Sequence, residues 1–312
     1  MPKLVLIDGN ALVHRAFHAV PSHFRTSQGE QTNAVYGFSN VFINIINELQ
    51  PDFMAVAFDR KAPTFRHEAY EDYKAKRVKA PDELYEQIPR IKEVVSAFSV
   101  PIYEIDGYEA DDVIGTLAER AEAQGQEVII VTGDLDTLQL VNDKVKVCTY
   151  HKGFQETVIY DRDKVIERYG LTPEQIVDFK ALSGDASDNI PGVTGIGKVG
   201  ATRLLQVYGT LSKIYEALEQ GSFSGFSESI KKKLIVGKEQ ALMSQNLATI
   251  IREVPIATDF KEMEFQELDL EKIADLFSEL EFVSLLKKLG AERQENKKTS
   301  QDLPQAEQGS LF

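Results

Sequence analysis

Three short apolar runs, each closed by an aspartate, constrain this chain more than any other feature. Leu4 to Ile7 ends at Asp8, and Ala55 to Phe58 ends at Asp59. Val128 to Val131 is followed by Thr132, Gly133 and Asp134. A strand that is apolar at every position is buried on both faces, the signature of a parallel sheet. Helical patterns fill the intervals, as at Val35 to Leu49 and Leu84 to Phe98. The alternation predicts an α/β fold with a mostly parallel sheet covered by helices. In such sheets the functional crevice lies at the carboxyl ends of the strands. Asp8, Asp59 and Asp134 are therefore expected along one edge.

Six further acids join them. "GYEADDVIGTLA" places Glu109, Asp111 and Asp112 at a helix start, and "TGDLDTLQL" adds Asp136 beside Asp134. "SGDASDNIPG" adds Asp185 and Asp188. Each group has an ordinary explanation alone: dipole complement at a helix start, an N-cap, or turn chemistry. Nine carboxylates in one crevice do not, because like charges repel and burial worsens the repulsion. Cations resolve the conflict. All-oxygen ligands select hard ions, Mg²⁺ or Mn²⁺, and the number of acids suggests two of them. The net charge of −14 argues by itself against a nucleic-acid partner. Metal ions at the acids would offset part of that charge.

After about Ile176 the strand-like runs stop and helical segments dominate, at Val199 to Val207, Ile230 to Ile235, Glu239 to Ile250 and Leu270 to Phe277. Three regions follow: an α/β core over 1–175, a helical subdomain over 176–289, and a polar tail over 290–312 that reads as disordered. Cys148 is the only cysteine, which excludes an internal disulfide and suits the cytoplasm. No run approaches the roughly 18 apolar residues of a membrane span.

Two stretches can meet phosphate. Gly192, Gly195, Gly197 and Gly200 in "GVTGIGKVGA" would bring backbone N–H groups close to a phosphodiester, with Lys198 adding a charge. The plain alternative is an interhelical turn. "FRHEAYEDYKAKRVKAPDEL" carries Arg66, Lys74, Lys76, Arg77 and Lys79 among tyrosines. If it is helical, Tyr70, Lys74 and Arg77 share a face, and an aromatic there would stack on a base. A solvated helix is the alternative.

Taken together these motifs, with "LVLIDGNALVHRAFHA", resemble the bacterial 5′-nuclease family over about Leu4 to Leu289. The resemblance implies a PIN-like core with nine metal ligands: Asp8, Asp59, Glu109, Asp111, Asp112, Asp134, Asp136, Asp185 and Asp188. It assigns phosphate contacts to Arg15, Tyr73, Lys74 and Arg77, and makes about 64–84 a helical arch. It makes about 184–207 a helix–three-turn–helix that grips duplex through Gly192, Gly195, Gly197 and Lys198, with a K⁺ ion on backbone carbonyls. Arg66 is expected to contact DNA as well. The implied activity is 5′→3′ exonuclease or flap endonuclease action by a monomer on branched, nicked or RNA-primed DNA. The chain stops at Phe312, so no polymerase activity is expected. The end of the tail, with Gln308, Leu311 and Phe312, resembles the peptide by which replication proteins dock on the β sliding clamp.

Two other readings compete. A non-catalytic junction binder would have lost some of the acids, and none is missing. An aspartate-nucleophile phosphatase would carry Asp-x-Asp after the first strand, where Asn10 stands instead.

Overall fold

In a computed structural model, which describes residues 1–151 and 156–290, six strands form one sheet. They are β1 (Lys3–Asp8), β2 (Phe53–Ala57), β3 (Ile102–Tyr103), β4 (Glu127–Val131), β5 (Val145–His151) and β6 (Glu156–Tyr160). Their order is β3-β2-β1-β4-β5-β6. All neighbours are parallel except β5 and β6, which are antiparallel. The sheet is thus mostly parallel, as the apolar runs require.

Alternate residues of each strand enter different cores. Val5, Ile7, Met54, Val56, Ile129 and Val131 pack with the helices Gly9–Ala19, Asn33–Leu49 and Ile88–Ala97. Leu4, Leu6, Ala55, Ala57, Val128 and Ile130 face the helix Ala110–Ala123. Each Val, Leu, Ile or Met among them contributes about 1.5–3 kcal/mol when fully buried. Neither face of these strands is left to water, so no polar position interrupts the pattern.

Chain direction then sets the site. β1 lies between β2 and β4, so the connections leave it on opposite sides and open a crevice at its carboxyl end. Asp8 is level with Ala57, and Ile7 with Val131. Asp59 and Asp134 therefore follow their strands just beyond Asp8.

A separate core holds the helical region. Leu171, Phe179, Leu182, Val193, Ile196, Leu204, Leu205, Leu211, Ile214 and Leu234 are buried together there. The expected extent of this subdomain, 176–289, needs correction. After Thr249 the chain returns to the sheet. Ile250 and Met263 enter one sheet face, and the Phe265 N–H donates to the Asp52 carbonyl at 2.8 Å. Ile273, Phe277, Leu280, Phe282 and Leu285 enter the other face. The Leu270–Glu279 helix is amphipathic, and its apolar side finds the first core rather than the helical one. Gln308, Leu311 and Phe312 lie outside the described residues.

Candidate active site

The first three residues of the edge tie three elements together. Asp8 ends β1 and caps the next helix, its Oδ1 accepting from the Ala11 N–H at 2.9 Å. Its Oδ2 accepts from the Thr132 hydroxyl at 2.7 Å. Gly9 is required by space, since a Cβ there would stand 2.5 Å from the Phe58 ring. Asn10 Nδ2 donates to Asp59 at 2.8 Å, and the Asp59 N–H donates back to Asn10 Oδ1 at 3.2 Å. Asp59 also accepts from the Ala110 N–H at 2.7 Å, at the start of the Ala110–Ala123 helix. Asp134 caps the turn Leu135–Leu140 and accepts from the Asp136 N–H at 2.9 Å.

Asp8, Asp59, Glu109, Asp111 and Asp134 line one cleft of about 540 Å³, together with Arg15, Lys74 and Arg77. A neighbouring cleft of about 630 Å³ is lined by Asp134, Asp136, Lys180, Asp185 and Lys198. Eight of the nine expected acids thus lie along one continuous edge, because Asp188 sits between the clefts' shared Ser187 and the basic segment.

The charge balance of this edge is strained. Burial, then the charges of Asp59 and Asp134, lifts the Asp8 carboxyl to about 7. Burial and Asp134 lift Asp136 to about 7 as well. Burial, Asp134 and Asp8 hold Asp111 well above the carboxylate range. Its Oδ1 is buried without a hydrogen-bond partner. Elsewhere the acids meet the protein's own cations. Lys74 Nζ donates to Glu109 at 2.7 Å, and Arg77 donates to Asp188 at 2.6 Å. Lys180 bridges Asp136 and Asp185. Burial opposes the charge on Asp185, yet Lys180 and Ser187 hold it down to about 2. Among the described residues no three acids, histidines or cysteines stand close enough to hold an ion as placed. The orphaned Asp111 oxygen and the suppressed ionisation of Asp8 and Asp136 are nevertheless what a hard cation relieves. The donor set fits a divalent ion.

Two expected residues belong elsewhere. Asp112 is fully buried and forms a bidentate pair with Arg66, both contacts at 2.7 Å. Its Oδ1 also accepts from the Ile251 N–H and its Oδ2 from the Glu109 N–H. Every lone pair is spoken for, so Asp112 is not a ligand facing the cleft. Arg66 is 3% exposed. Its Nε and Nη2 donate to the carbonyls of Leu247 and Thr249. It cannot contact DNA from there.

The basic segment also departs from expectation. Its helix spans only Phe65–Ala69, and turns follow through Arg77. Lys74 has φ +57°, which breaks any helix face shared by Tyr70, Lys74 and Arg77. Tyr73 drops inward to 3% exposure, its hydroxyl donating to Glu109 at 3.1 Å and Asp188 at 3.2 Å. It sits beneath the site and is not placed to stack on a base.

In the glycine turn, two positions have a backbone reason. Gly192 has φ +62°, and a Cβ there would lie 2.1 Å from the Gly184 nitrogen. Gly195 has φ +83° and lies under Lys233, whose Nζ donates to the Gly195 carbonyl at 3.0 Å. Gly197 has φ −93° and caps the helix Lys198–Tyr208, and a Cβ there would meet open space. Lys198 is exposed at the helix start.

Sequence reasoning missed Lys180, and read Asn10 only as evidence against a phosphatase. Asn10 had one local signal, its place two residues after Asp8. Lys180 had one too, since it lies on the same helix that leads into Asp185.

A carboxylate-edged α/β sheet with a helical module beside it defines a PIN-like nuclease core. The comparisons agree. Residues 3–170 match the 5′-3′ exonuclease N-terminal resolvase-like domain. Residues 171–271 match the 5′-3′ exonuclease C-terminal SAM fold. The chain belongs to the 5′-3′ exonuclease family and is a nuclease. It is 44% identical to DNA polymerase I of Bacillus subtilis over 293 residues, covering 94% of this chain and 33% of that one. It is 40% identical to DNA polymerase I of Mycobacterium tuberculosis over 282 residues, covering 90% and 31%. The chain thus spans about a third of the length of these curated relatives. Among solved structures, T5 5′-exonuclease with bound divalent metal ions (zinc) superposes at TM-score 0.63 and 22% identity, over 79% of this chain and 89% of that one. The catalytic core of Rad2 in complex with DNA substrate gives 0.60 and 18%, over 89% and 87%. Among the described residues no helix is long and apolar enough to cross a membrane.

Proposed function

We propose that this chain is a structure-specific 5′→3′ exonuclease and flap endonuclease that hydrolyses DNA phosphodiester bonds in Okazaki-fragment processing and repair. The observation that carries the reading is the continuous acidic edge, with Asp111 Oδ1 buried and unsatisfied at its centre. Asp8, Asp59, Glu109, Asp111 and Asp134 would hold one Mg²⁺ or Mn²⁺, and Asp136, Asp185 and Asp188 would help hold a second. Divalent ions bound there would supply water activation and leaving-oxygen stabilisation.

The chain's own residues do the rest. Lys74, Arg77 and Arg15 share the first cleft with the acids, and there they neutralise and orient the scissile phosphate. The turn at 192–197 and Lys198 hold the neighbouring duplex by its backbone, and carbonyls of the turn left free by Lys233 would hold a K⁺ ion that adds positive charge there. Asn10 and Thr132 keep Asp59 and Asp8 aimed at the cleft. Similarity to Rad2 and T5 5′-exonuclease, whose structures contain DNA and divalent metal respectively, supports both parts.

The test is digestion of 5′-labelled flap, nicked-duplex and RNA-primed oligonucleotides with and without Mg²⁺. Release of short 5′ products from the flap, only with metal, is the expected result. Equal digestion in EDTA, or binding of the junction without any cleavage, would overturn the assignment and favour a junction binder.

The same reading includes docking on a sliding clamp through Gln308, Leu311 and Phe312, a short apolar anchor on a tether. Deleting 308–312 should leave cleavage of free oligonucleotides unchanged and abolish clamp binding in a titration. Equal clamp binding by both chains, or none by either, removes this part.

A further inference from the structure

The basic segment that carries Lys74 is not held by its own secondary structure. Between the helix Phe65–Ala69 and Arg77 the chain forms only successive turns. Lys74 itself takes φ +57°, a left-handed conformation that a side-chain-bearing residue adopts only at an energetic cost. Something outside the segment must hold it there.

The loop that carries Asp185 and Asp188 does so. The loop is closed by a two-bond bridge, with Asp185 and Ile190 exchanging N–H donors at 2.8 Å in both directions. From this closed loop two contacts reach the segment on either side of Tyr73. The Asn189 side-chain amide donates to the Asp72 carbonyl at 2.7 Å. The Asp188 carbonyl accepts from the Lys74 N–H at 2.9 Å. Asn189 also takes the left-handed conformation, φ +56°, so that its amide points across to Asp72. Asparagine tolerates that conformation better than most residues. Beneath the contacts, Tyr73 packs with Ile190, Leu247 and Ala248. Loop, segment and the end of the Lys238–Ala248 helix thus share one small core.

We infer that Asn189 is a positioning residue: by holding the Asp72 carbonyl it fixes the turn that aims Lys74 at Glu109, and makes the basic segment and the Asp185–Asp188 loop move as one unit. Asn189 touches no cleft acid through its side chain, and its effect passes through Lys74. The inference rests on the nuclease reading above and names a residue that sets its phosphate-binding lysine.

The variant to make is Asn189→Gly. Glycine accepts the positive φ and lacks the amide, so the backbone is preserved while the contact is lost. Asn189→Asp is the second variant, which keeps the size and cannot donate while ionised. Single-turnover cleavage of a 5′-flap duplex with saturating Mg²⁺ is measured for both, alone and combined with Lys74→Ala. Each Asn189 variant should slow cleavage by about tenfold, the low end for a residue that orients a functional group. Duplex affinity should stay unchanged. In the Lys74→Ala background the same variants should have no further effect, because the group they position is gone. Trypsin should cut faster after the exposed Lys76 and Lys79 in Asn189→Gly than in the parent.

An unchanged cleavage rate in the Asn189 variants would overturn the inference. So would an equal slowing with and without Lys74, which would mark a general structural loss. A Lys74→Ala variant that cleaves as fast as the parent would overturn the role given to Lys74 under the proposed function, and the Asn189 inference with it.

Discussion

Asp134→Asn is expected to slow cleavage of a 5′-flap duplex by about 10³-fold or more, the upper range for losing one preorganised electrostatic partner. Asparagine keeps the side-chain oxygen that caps the Leu135–Leu140 turn by accepting from Asp136 N–H. The local backbone therefore has no reason to move. What changes is charge. Asp134 lines both clefts, and it is among the charges that push Asp8, Asp111 and Asp136 toward their neutral forms. Removing it should raise the melting temperature measured in EDTA, because repulsion along the edge falls. It should also shrink the rise in melting temperature on adding Mg²⁺, because a cation has less charge to neutralise. Binding to an uncleaved junction should be retained, since Lys198, which lines the second cleft with Asp134, keeps its charge and the backbone of the glycine turn is unchanged. Near-parental cleavage by Asp134→Asn would remove the central ligand from the proposed site.

The legible part of this molecule is the part whose pattern is set by neighbours on both sides. β1, β2 and β4 are buried on two faces, so their apolar runs stood out, and the acids that end them fell on one edge by chain direction alone. Where a residue's partner is remote, nothing local announced it. Arg66 sits among lysines and reads as one more phosphate contact, but its partner Asp112 lies 46 residues away. The spacing of Tyr70, Lys74 and Arg77 fits a helix. The segment turns instead, because Tyr73 gains a buried place with Ile190 and Leu247, contacts that local spacing cannot show. The same holds for the last helices. Ile273 and Phe277 mark an amphipathic helix, and the pattern does not say which of two cores receives it.

Arg66→Ala is expected to destabilise the protein by about 3–5 kcal/mol, the cost of leaving a buried charge without its partner. Asp112 is fully buried, and two of its best contacts are the paired 2.7 Å bonds from Arg66. The guanidinium does a second job, since its Nε and Nη2 satisfy the Leu247 and Thr249 carbonyls where the helical region returns toward the sheet. One planar group thus joins the base of the basic segment, the Ala110–Ala123 helix and the chain's crossing point. Lysine has one ammonium and no such fork, so Arg66→Lys should recover little. Asp112→Asn in the Arg66→Ala background should recover part of the loss. A neutral amide is cheaper to bury unpaired, and its oxygen still accepts from Ile251 N–H. Urea denaturation of the two single variants and the double variant measures the coupling. A double variant less destabilised than the sum of the singles is expected, and simple additivity would mean that the pair is not what holds the three elements together.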